Sequence, residues 1–210
     1  MSTPIFPIQQ PASIAAAAAI LRDGELVAIP TETVYGIAAA PRLQASELLL
    51  HRFYDADSWP ALPLLLAPEV PLAHLARSNQ WAERLRNYFW PGPLTVLLPA
   101  IADFPFALPT PCVAKRVPDY APLWPLLRAL GGVLIVGRAA HTGYPPAITA
   151  QEVAEQLADD VALILDGGRA LFGLPSTVVD CIVSPPRIVQ RGIISAPEIM
   201  AALQRPAERN

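Results

Sequence analysis

The chain has 210 residues, of which 53% are hydrophobic and 16% are charged. This balance is typical of a compact globular protein and excludes a disordered chain. The formal net charge of −3 excludes a general positive field for nucleic acid, so RNA binding would need a local basic cluster. A chain of this length is expected to form a single domain over residues 1–210.

The first predicted element is an alanine-rich helix that Ser13 caps, that runs to Arg22 and that stops at Gly24. Its apolar run is far shorter than the ~20 residues that a membrane span needs. No positive charge precedes it, as one would in a signal peptide. The sequence therefore predicts a cytoplasmic protein with no membrane partner.

Short apolar runs alternate with helical patterns through the rest of the chain. Ser78 is expected to cap an amphipathic helix with apolar residues at Trp81, Leu85 and Phe89, which ends before Pro91. Further helices are predicted at 45–54, at 121–130 and, behind a capping box of Thr149 and Glu152, at 149–157. Strands are predicted at 26–29, 62–66, 94–98, 112–117, 133–136, 161–165, 177–183 and 187–190. Because several strands follow each other directly, the pattern predicts an α/β fold with a twisted mixed sheet and flanking helices.

The first polar motif is PTETVYG at residues 30–36, directly after a predicted strand. A junction of this kind places the side chains of Thr31, Thr33 and Tyr35 where a ligand can meet them at the edge of a sheet. The alternative is an ordinary polar turn in which the threonines cap the backbone.

A second candidate is the pair Lys115 and Arg116 in a predicted strand. Of the 15 basic side chains, Lys115 is the one lysine. Neighbouring residues of a strand face opposite ways, so one of the two is expected to point at a cavity and the other at solvent. An arginine aimed into a cavity suits a carboxylate or phosphate, whereas the alternative is a surface salt bridge to Asp119.

Hydroxyl and basic groups also stand at the ends of three later strands. Thr95 begins a strand after a rigid proline-rich elbow, Ser176 and Thr177 follow a glycine, and Arg191 closes the last strand. Hydroxyls and backbone N–H groups at a strand start can donate to phosphate oxygens, although the chain has no Walker motif.

The cysteines and histidines show no metal-binding pattern. Cys112 and Cys181 have no disulfide framework around them and are expected to be reduced core residues. His51, His74 and His141 are scattered without the spacing of a zinc site. We therefore expect no disulfide and no tightly bound metal.

The motifs PTETVYG, WPGPLT, KRVPD, TGYPP, STVVD and QRG, in this order, resemble the YrdC-like family of threonylcarbamoyl-adenylate synthases over about residues 13–195. The resemblance implies an α/β sheet around a large concave cavity. It also implies condensation of L-threonine, bicarbonate and ATP, with magnesium entering as part of the ATP complex, into the precursor of threonylcarbamoyl-adenosine in tRNA. It assigns substrate binding to Thr31, Thr33, Tyr35, Arg116, Thr142, Ser176 and Thr177, and nucleotide binding to Thr95, Arg138 and Arg191.

The chain departs from the family's motifs in two segments. Asp57 and Trp59 stand where the family has the lysine and arginine of Lys-x-Arg-Pro, and Arg138 and Ala140 stand where it has the first serine and the asparagine of Ser-Ala-Asn-x-Ser-Gly. Sites that activate ATP aim cations at its phosphates. These replacements therefore predict weak nucleotide affinity unless the guanidinium of Arg138 reaches the phosphates.

Three functions remain open from the sequence, and the catalytic residues stay unknown. The first is a synthase of the family's adenylate-forming type with altered ATP contacts. The second is a catalytically impaired relative that binds a small ligand, a nucleotide or RNA. The third is an enzyme on the same fold that handles a different carboxylate or carbamoyl substrate.

Overall fold

The structure, a computed structural model, describes residues 3–41, 45, 48–49, 53, 63–104, 106, 112–141 and 143–205. Within these ranges ten strands form a mixed sheet, and helices cover both of its faces. The strands are β1 (Ile5–Pro7), β2 (Val27–Ile29), β3 (Gly36–Ala39), β4 (Pro63–Leu66), β5 (Leu94–Pro99), β6 (Cys112–Arg116), β7 (Val133–Arg138), β8 (Leu163–Asp166), β9 (Thr177–Asp180) and β10 (Arg187–Gln190). The helices are α1 (Pro11–Arg22), α2 (Gln80–Phe89), α3 (Trp124–Ala129), α4 (Ala150–Leu157) and α5 (Ala196–Gln204).

The strands lie in the order β1-β8-β2-β3-β7-β4-β6-β5-β9-β10. Four neighbouring pairs are parallel (β1 with β8, β8 with β2, β4 with β6, and β5 with β9), and the other five are antiparallel. The mixture of directions confirms the predicted fold class. None of the described helices combines the length and the apolar character that crossing a membrane demands.

Two apolar layers hold the sheet between helices. On one face, α1 and α3 pack through Leu21 and Leu127 against strand residues that include Leu65 and Leu134. On the other face, α2, α4 and α5 pack against a larger cluster centred on the alternate strand residues, such as Ile135. Because side chains alternate across a strand, each buried strand contributes to both layers.

Three elements had no counterpart among the predictions: β1, β3 and α5. The helix predicted at 45–54 falls mostly outside the described residues, although Ala45, Leu48, Leu49 and Phe53 are helical. Short 3-10 turns stand at Leu72–His74, Ala121–Leu123 and Ala158–Asp160.

Two of the predicted helix caps are wrong and one is confirmed. α1 begins at Pro11, so Ser13 lies inside the helix and is buried. α2 is capped by Asn79 rather than Ser78, because the Asn79 side chain accepts hydrogen bonds from the backbone N–H groups of Trp81 and Ala82 at 3.1 and 3.0 Å. Thr149 caps α4 as expected, accepting from the backbone N–H of the third helical residue.

Substitution of Asn79 by alanine is expected to lower the free energy of unfolding by about 1–2 kcal/mol. The change removes the cap of α2 and also the hydrogen bond that the Asn79 amide donates to the Cys181 carbonyl at 2.6 Å. Urea unfolding measures the loss of unfolding free energy. Ser78→Ala is the matched control, and its unfolding free energy should stay within about 0.5 kcal/mol of the wild type. A larger loss from Ser78→Ala than from Asn79→Ala would mean that Ser78 caps α2.

Candidate functional site

A cavity of about 320 Å³ opens on the face of the sheet that carries Arg116. That volume suits a small organic ligand. The lining residues are Thr31, Thr33, Val34, Tyr35, Gly36, Phe53, Leu65, Thr95, Arg116, Val136, Gly137, Arg138, Pro175, Ser176, Val178, Val189 and Gln190. The wall is mostly apolar, with its polar groups contributed by the loop before β3 and by strand ends.

Strand register explains why distant residues meet in this cavity. Arg116 of β6 pairs with Leu65 of β4, and Leu65 pairs in turn with Leu134 of β7. Because alternate residues share a face, Val136 and Arg138 lie on the same side of β7 as Leu134. The cavity floor therefore runs from Arg116 across apolar side chains to Arg138 at the end of β7.

Arg116 is held by three groups although it is only 5% exposed. Its Nε donates to the Gly92 carbonyl at 3.1 Å and its Nη1 donates to Thr33 Oγ1 at 2.8 Å. Its Nη2 lies 2.6 Å from Oε1 of Glu32, which is 3% exposed. The predicted alternative of a salt bridge to Asp119 is wrong, because the guanidinium of Arg116 pairs with Glu32 instead. Asp119 takes part only through its backbone N–H, which donates to the same Glu32 oxygen at 3.0 Å.

The two threonine hydroxyls beside Arg116 form a directed chain of hydrogen bonds. Thr31 Oγ1 donates its single hydrogen to the Val34 carbonyl at 2.6 Å. The 2.8 Å contact between Thr31 and Thr33 must therefore be donated by Thr33, which in turn accepts from Arg116. Neither hydroxyl keeps a hydrogen for a ligand. Thr31 Oγ1 also accepts from the backbone N–H groups of Thr33 and Val34, at 3.2 and 3.3 Å, so only Thr33 retains a lone pair for what enters the cavity.

Thr95 and Ser176 supply a second polar group, next to Arg116. Their hydroxyl oxygens lie 2.9 Å apart, and Thr95 is 2% exposed. One hydrogen suffices for the contact between them, so the other remains for a ligand oxygen. β5 and β6 place Thr95 beside Arg116, because Val96 pairs with Lys115 in their antiparallel register.

Tyr35 lines the cavity, but its phenol faces the loop after β8. The hydroxyl donates to the Gly168 carbonyl at 2.8 Å and accepts from the backbone N–H of Gly167 at 3.1 Å. Burial raises the pKa of Tyr35 to about 12, so the phenol keeps its proton at neutral pH. Tyr35 therefore fixes a loop rather than presenting a proton to a ligand.

Three other described residues were predicted to bind substrate or nucleotide, and one of them lines the cavity. Thr177 is fully buried and its hydroxyl both donates to and accepts from the backbone of Ile194, at 2.7 and 3.0 Å. Arg191 is exposed and does not line the cavity, whereas its neighbour Gln190 does. Arg138 is exposed at the end of β7 and lines the cavity.

Several sequence predictions lie on residues that the structure does not describe. They are the substrate assignment of Thr142 and the departures at Asp57 and Trp59. Ala140, another of the departures, is described and is buried at 5% exposure. It presents no polar side chain in the position where the family's motif has asparagine.

Lys115 contradicts the expectation that it points to solvent. It faces the layer opposite to Arg116 and is completely buried. Its Nζ lies 3.5 Å from the Leu72 carbonyl, and burial lowers the pKa of the amine to about 7. The second face of β6 is covered by the 3-10 turn at Leu72–His74 and by α2, so it offers no surface.

The cysteines and the two described histidines, His74 and His141, do not line the cavity. Cys112 and Cys181 are both buried and no disulfide joins them, and burial raises the pKa of the Cys181 thiol to about 12. His141 Nε2 lies 3.1 Å from the Gln156 carbonyl. Across the part of the chain that the structure describes, no three or more His, Cys, Asp or Glu side chains gather as a metal site.

Sequence reasoning missed Glu32 as a partner of Arg116. The signal was present, because Glu32 stands between the two threonines of PTETVYG. A buried strand arginine needs a carboxylate, but the pairing depends on β6 and the loop before β3 meeting in space. No local pattern connects two residues that far apart in the chain.

Comparison of the sequence with known proteins identifies relatives of this chain. The profile of the Sua5, YciO and YrdC family, described as telomere recombination, matches residues 19–192. A threonylcarbamoyl-AMP synthase of Bacillus subtilis is 33% identical over 197 residues, which are 90% of this chain and 56% of that protein. The chain thus spans about half the length of this curated relative.

Solved structures show the same fold. The crystal structure of Pyrococcus abyssi Sua5 complexed with L-threonine has a TM-score of 0.87 at 31% identity, covering 96% of this chain and 61% of that one. The Escherichia coli YciO structure has a TM-score of 0.83 at 23% identity, covering 94% and 99%. At this lower identity YciO supports the fold alone.

Proposed function

We infer the function of this chain from its family, because it belongs to the Sua5, YciO and YrdC family. We propose that it is a threonylcarbamoyl-AMP synthase, which joins L-threonine, bicarbonate and ATP and releases pyrophosphate. In this reaction the neutral amine of threonine bonds to the carbon of bicarbonate, and water leaves, which gives a carbamate. A carbamate oxygen then bonds to the α-phosphorus of ATP as the bond to pyrophosphate breaks.

The observation that carries the proposal is the buried Arg116 in the cavity wall. Because Glu32 balances its charge at 2.6 Å, this end of the cavity has little net charge. A zwitterion such as an amino acid is also neutral overall, so its carboxylate can meet the guanidinium without a net charge being buried. The relative from Pyrococcus abyssi that was crystallised with L-threonine supports the same ligand.

The residues around Arg116 would then divide into two groups. Arg116 and the Thr95–Ser176 hydroxyl pair donate to the oxygens of threonine or of its carbamate. Thr31 and Thr33 orient the guanidinium through their directed hydrogen bonds. Orientation of the carboxylate in this way fixes the amine end of threonine where bicarbonate and ATP must arrive, which lowers the entropic part of the barrier.

Pyrophosphate release tests this function. The protein is expected to release pyrophosphate from ATP and magnesium when L-threonine and bicarbonate are both present, and not when either is left out. Mass spectrometry should find threonylcarbamoyl-AMP in the complete mixture. Binding of threonine without any turnover would instead favour a catalytically impaired relative, and release without threonine would contradict the proposed substrate.

A further inference from the structure

A second cavity, of about 180 Å³, lies on the face of the sheet opposite to the first one. Its wall combines apolar residues of the larger layer with residues of the elbow between α2 and β5, among them Leu66, Leu72, Val117, Trp90 and Pro91. Arg86 of α2 supplies the one charged side chain among its described lining residues. We call this cavity the elbow pocket. It offers a small molecule an apolar cleft with a guanidinium in its wall.

The charges around the elbow pocket favour an anionic occupant. Among the described residues, Arg86 pairs with Glu83 through Nε at 2.5 Å, so other N–H donors of its guanidinium remain for a carboxylate. Behind the pocket wall, the fully buried amine of Lys115 has the Leu72 carbonyl at 3.5 Å as its partner, and no described carboxylate pairs with it. A carboxylate bound at Arg86 would therefore also attract the protonated amine of Lys115.

The elbow connects this pocket to Arg116 on the other face of the sheet. The backbone N–H of Gly92 donates to the Val117 carbonyl at 2.8 Å, and the Gly92 carbonyl accepts from Nε of Arg116 at 3.1 Å. A Cβ on Gly92 would lie 2.4 Å from the carbonyl oxygen of Phe89, so the elbow packs closely against the end of α2. Because Pro91 and Val117 line the elbow pocket, an occupant would contact the residues that position Gly92.

We propose that the elbow pocket binds a small apolar monocarboxylate and that this occupant strengthens ligand binding at Arg116. The volume of 180 Å³ is below the roughly 300 Å³ at which pockets for drug-sized ligands begin, so the occupant is about the size of benzoate. One negative charge matches one guanidinium, whereas each further charge would add a cost of removal from water. Glu69, next to the pocket wall in the chain, is already paired with Arg128 at 2.7 and 3.2 Å. An occupant packed on Pro91 restricts the elbow, so that Gly92 is in place before a ligand reaches Arg116.

Benzoate is the probe for the elbow pocket, and benzyl alcohol is its uncharged counterpart. In NMR titrations, benzoate should shift the indole N–H signal of Trp90 and the backbone amide signal of Gly92 until the site saturates. By calorimetry, benzyl alcohol should bind at least fivefold more weakly than benzoate, and Arg86→Gln should bind benzoate at least fivefold more weakly than the wild type. The matched control is Arg77→Gln, because Arg77 is exposed and lines neither cavity; it should change benzoate affinity less than twofold. The site is overturned if the Trp90 signal does not move, if benzyl alcohol binds as well as benzoate, or if Arg86→Gln binds benzoate as the wild type does.

Threonine binding tests the connection to Arg116, and the choice of threonine as that ligand rests on the proposed function. Saturating benzoate should strengthen the binding of L-threonine at least twofold, and by linkage saturating threonine should strengthen the binding of benzoate by the same factor. Arg86→Gln should lose this gain at the same benzoate concentration. Unchanged threonine affinity overturns the connection, and so does weaker affinity, which would mean that benzoate competes for the cavity beside Arg116. If the wild type binds no threonine, the proposed function falls, whereas the signals of Trp90 and Gly92 still decide whether the elbow pocket binds benzoate.

Discussion

The Arg116→Met variant is expected to lose about 3–5 kcal/mol of unfolding free energy and to lose threonine binding. Removal of the guanidinium leaves the carboxylate of Glu32, which is 3% exposed, as an unpaired buried charge. Its Oε2 atom already has no hydrogen-bond partner among the described residues. The backbone N–H of Asp119 alone cannot compensate for the lost ion pair.

Removal of both charges separates stability from ligand binding. The double variant Arg116→Met with Glu32→Leu replaces the ion pair by apolar side chains, and such replacements are often neutral or stabilising. We expect it to regain most of the stability that Arg116→Met loses, while calorimetry still shows no binding of L-threonine. Recovery of threonine binding in the double variant would contradict the role of Arg116 in the cavity.

Glu32→Gln is the matched control for this pair. The amide keeps an oxygen that can accept from the backbone N–H of Asp119, and it removes only the charge. Arg116 should therefore remain in place, and the loss of stability should be smaller than in Arg116→Met. If urea unfolding instead gives the double variant the same stability as Arg116→Met, the buried charge is not the cause of the loss.

Most of the strands could be predicted from the sequence because their apolar runs are bounded by proline or glycine. The predicted strand at 187–190 coincides with β10, and those at 94–98 and 112–117 differ from β5 and β6 by one residue at one end. The strand predicted at 177–183 was too long. The chain turns after Asp180, whose side chain accepts from the backbone N–H of Ile182 at 2.9 Å.

The two strands that were not predicted, β1 and β3, lack that sequence signal for different physical reasons. β1 has three residues, is exposed, and is stabilised by parallel pairing with β8, which is far away in sequence. β3 begins at Gly36 and consists mostly of small residues, so its sequence resembles the end of a turn more than a strand. Its glycine is required by the neighbouring strand, because a Cβ there would lie 2.4 Å from Val136 Cγ1.

The candidate site could be predicted as a set of residue types but not as a set of contacts. Thr31, Thr33, Arg116 and Ser176 all line the cavity, and their positions at strand ends were visible in the sequence. The direction of the hydroxyl hydrogen bonds and the ion pair between Arg116 and Glu32 depend on distances that only the folded chain sets. The position of Lys115 was wrong for a similar reason, since the alternation of a strand does not say what covers each face.

Substitution of Lys115 by methionine is expected to raise the unfolding free energy by about 2–4 kcal/mol at pH 7. Burial lowers the pKa of this amine from 10.5 to about 7. Since one pKa unit corresponds to about 1.4 kcal/mol, the buried ammonium costs at most about 5 kcal/mol at and below pH 7. Methionine has a similar length and suits the apolar layer, but it loses the contact with the Leu72 carbonyl.

The advantage of methionine should shrink as the pH rises. The folded-state pKa of Lys115 lies below its unfolded value, so between about pH 7 and 10.5 the unfolded chain binds more protons and the wild type gains stability with pH. Tyr35 and Cys181 act in the opposite direction above about pH 9, because folding raises the pKa of each to about 12. Both groups are present in the wild type and the variant, so their effect cancels in the difference.

Urea unfolding at pH 7, 8 and 9 measures that difference for the wild type, Lys115→Met and Lys115→Arg. A guanidinium cannot lose its proton in this range, so Lys115→Arg should stay destabilised at every pH while the wild type approaches Lys115→Met. An advantage of methionine that stays constant from pH 7 to 9 would mean that the buried amine does not titrate there. A less stable Lys115→Met would mean that the hydrogen bond to Leu72 outweighs the cost of burying the amine.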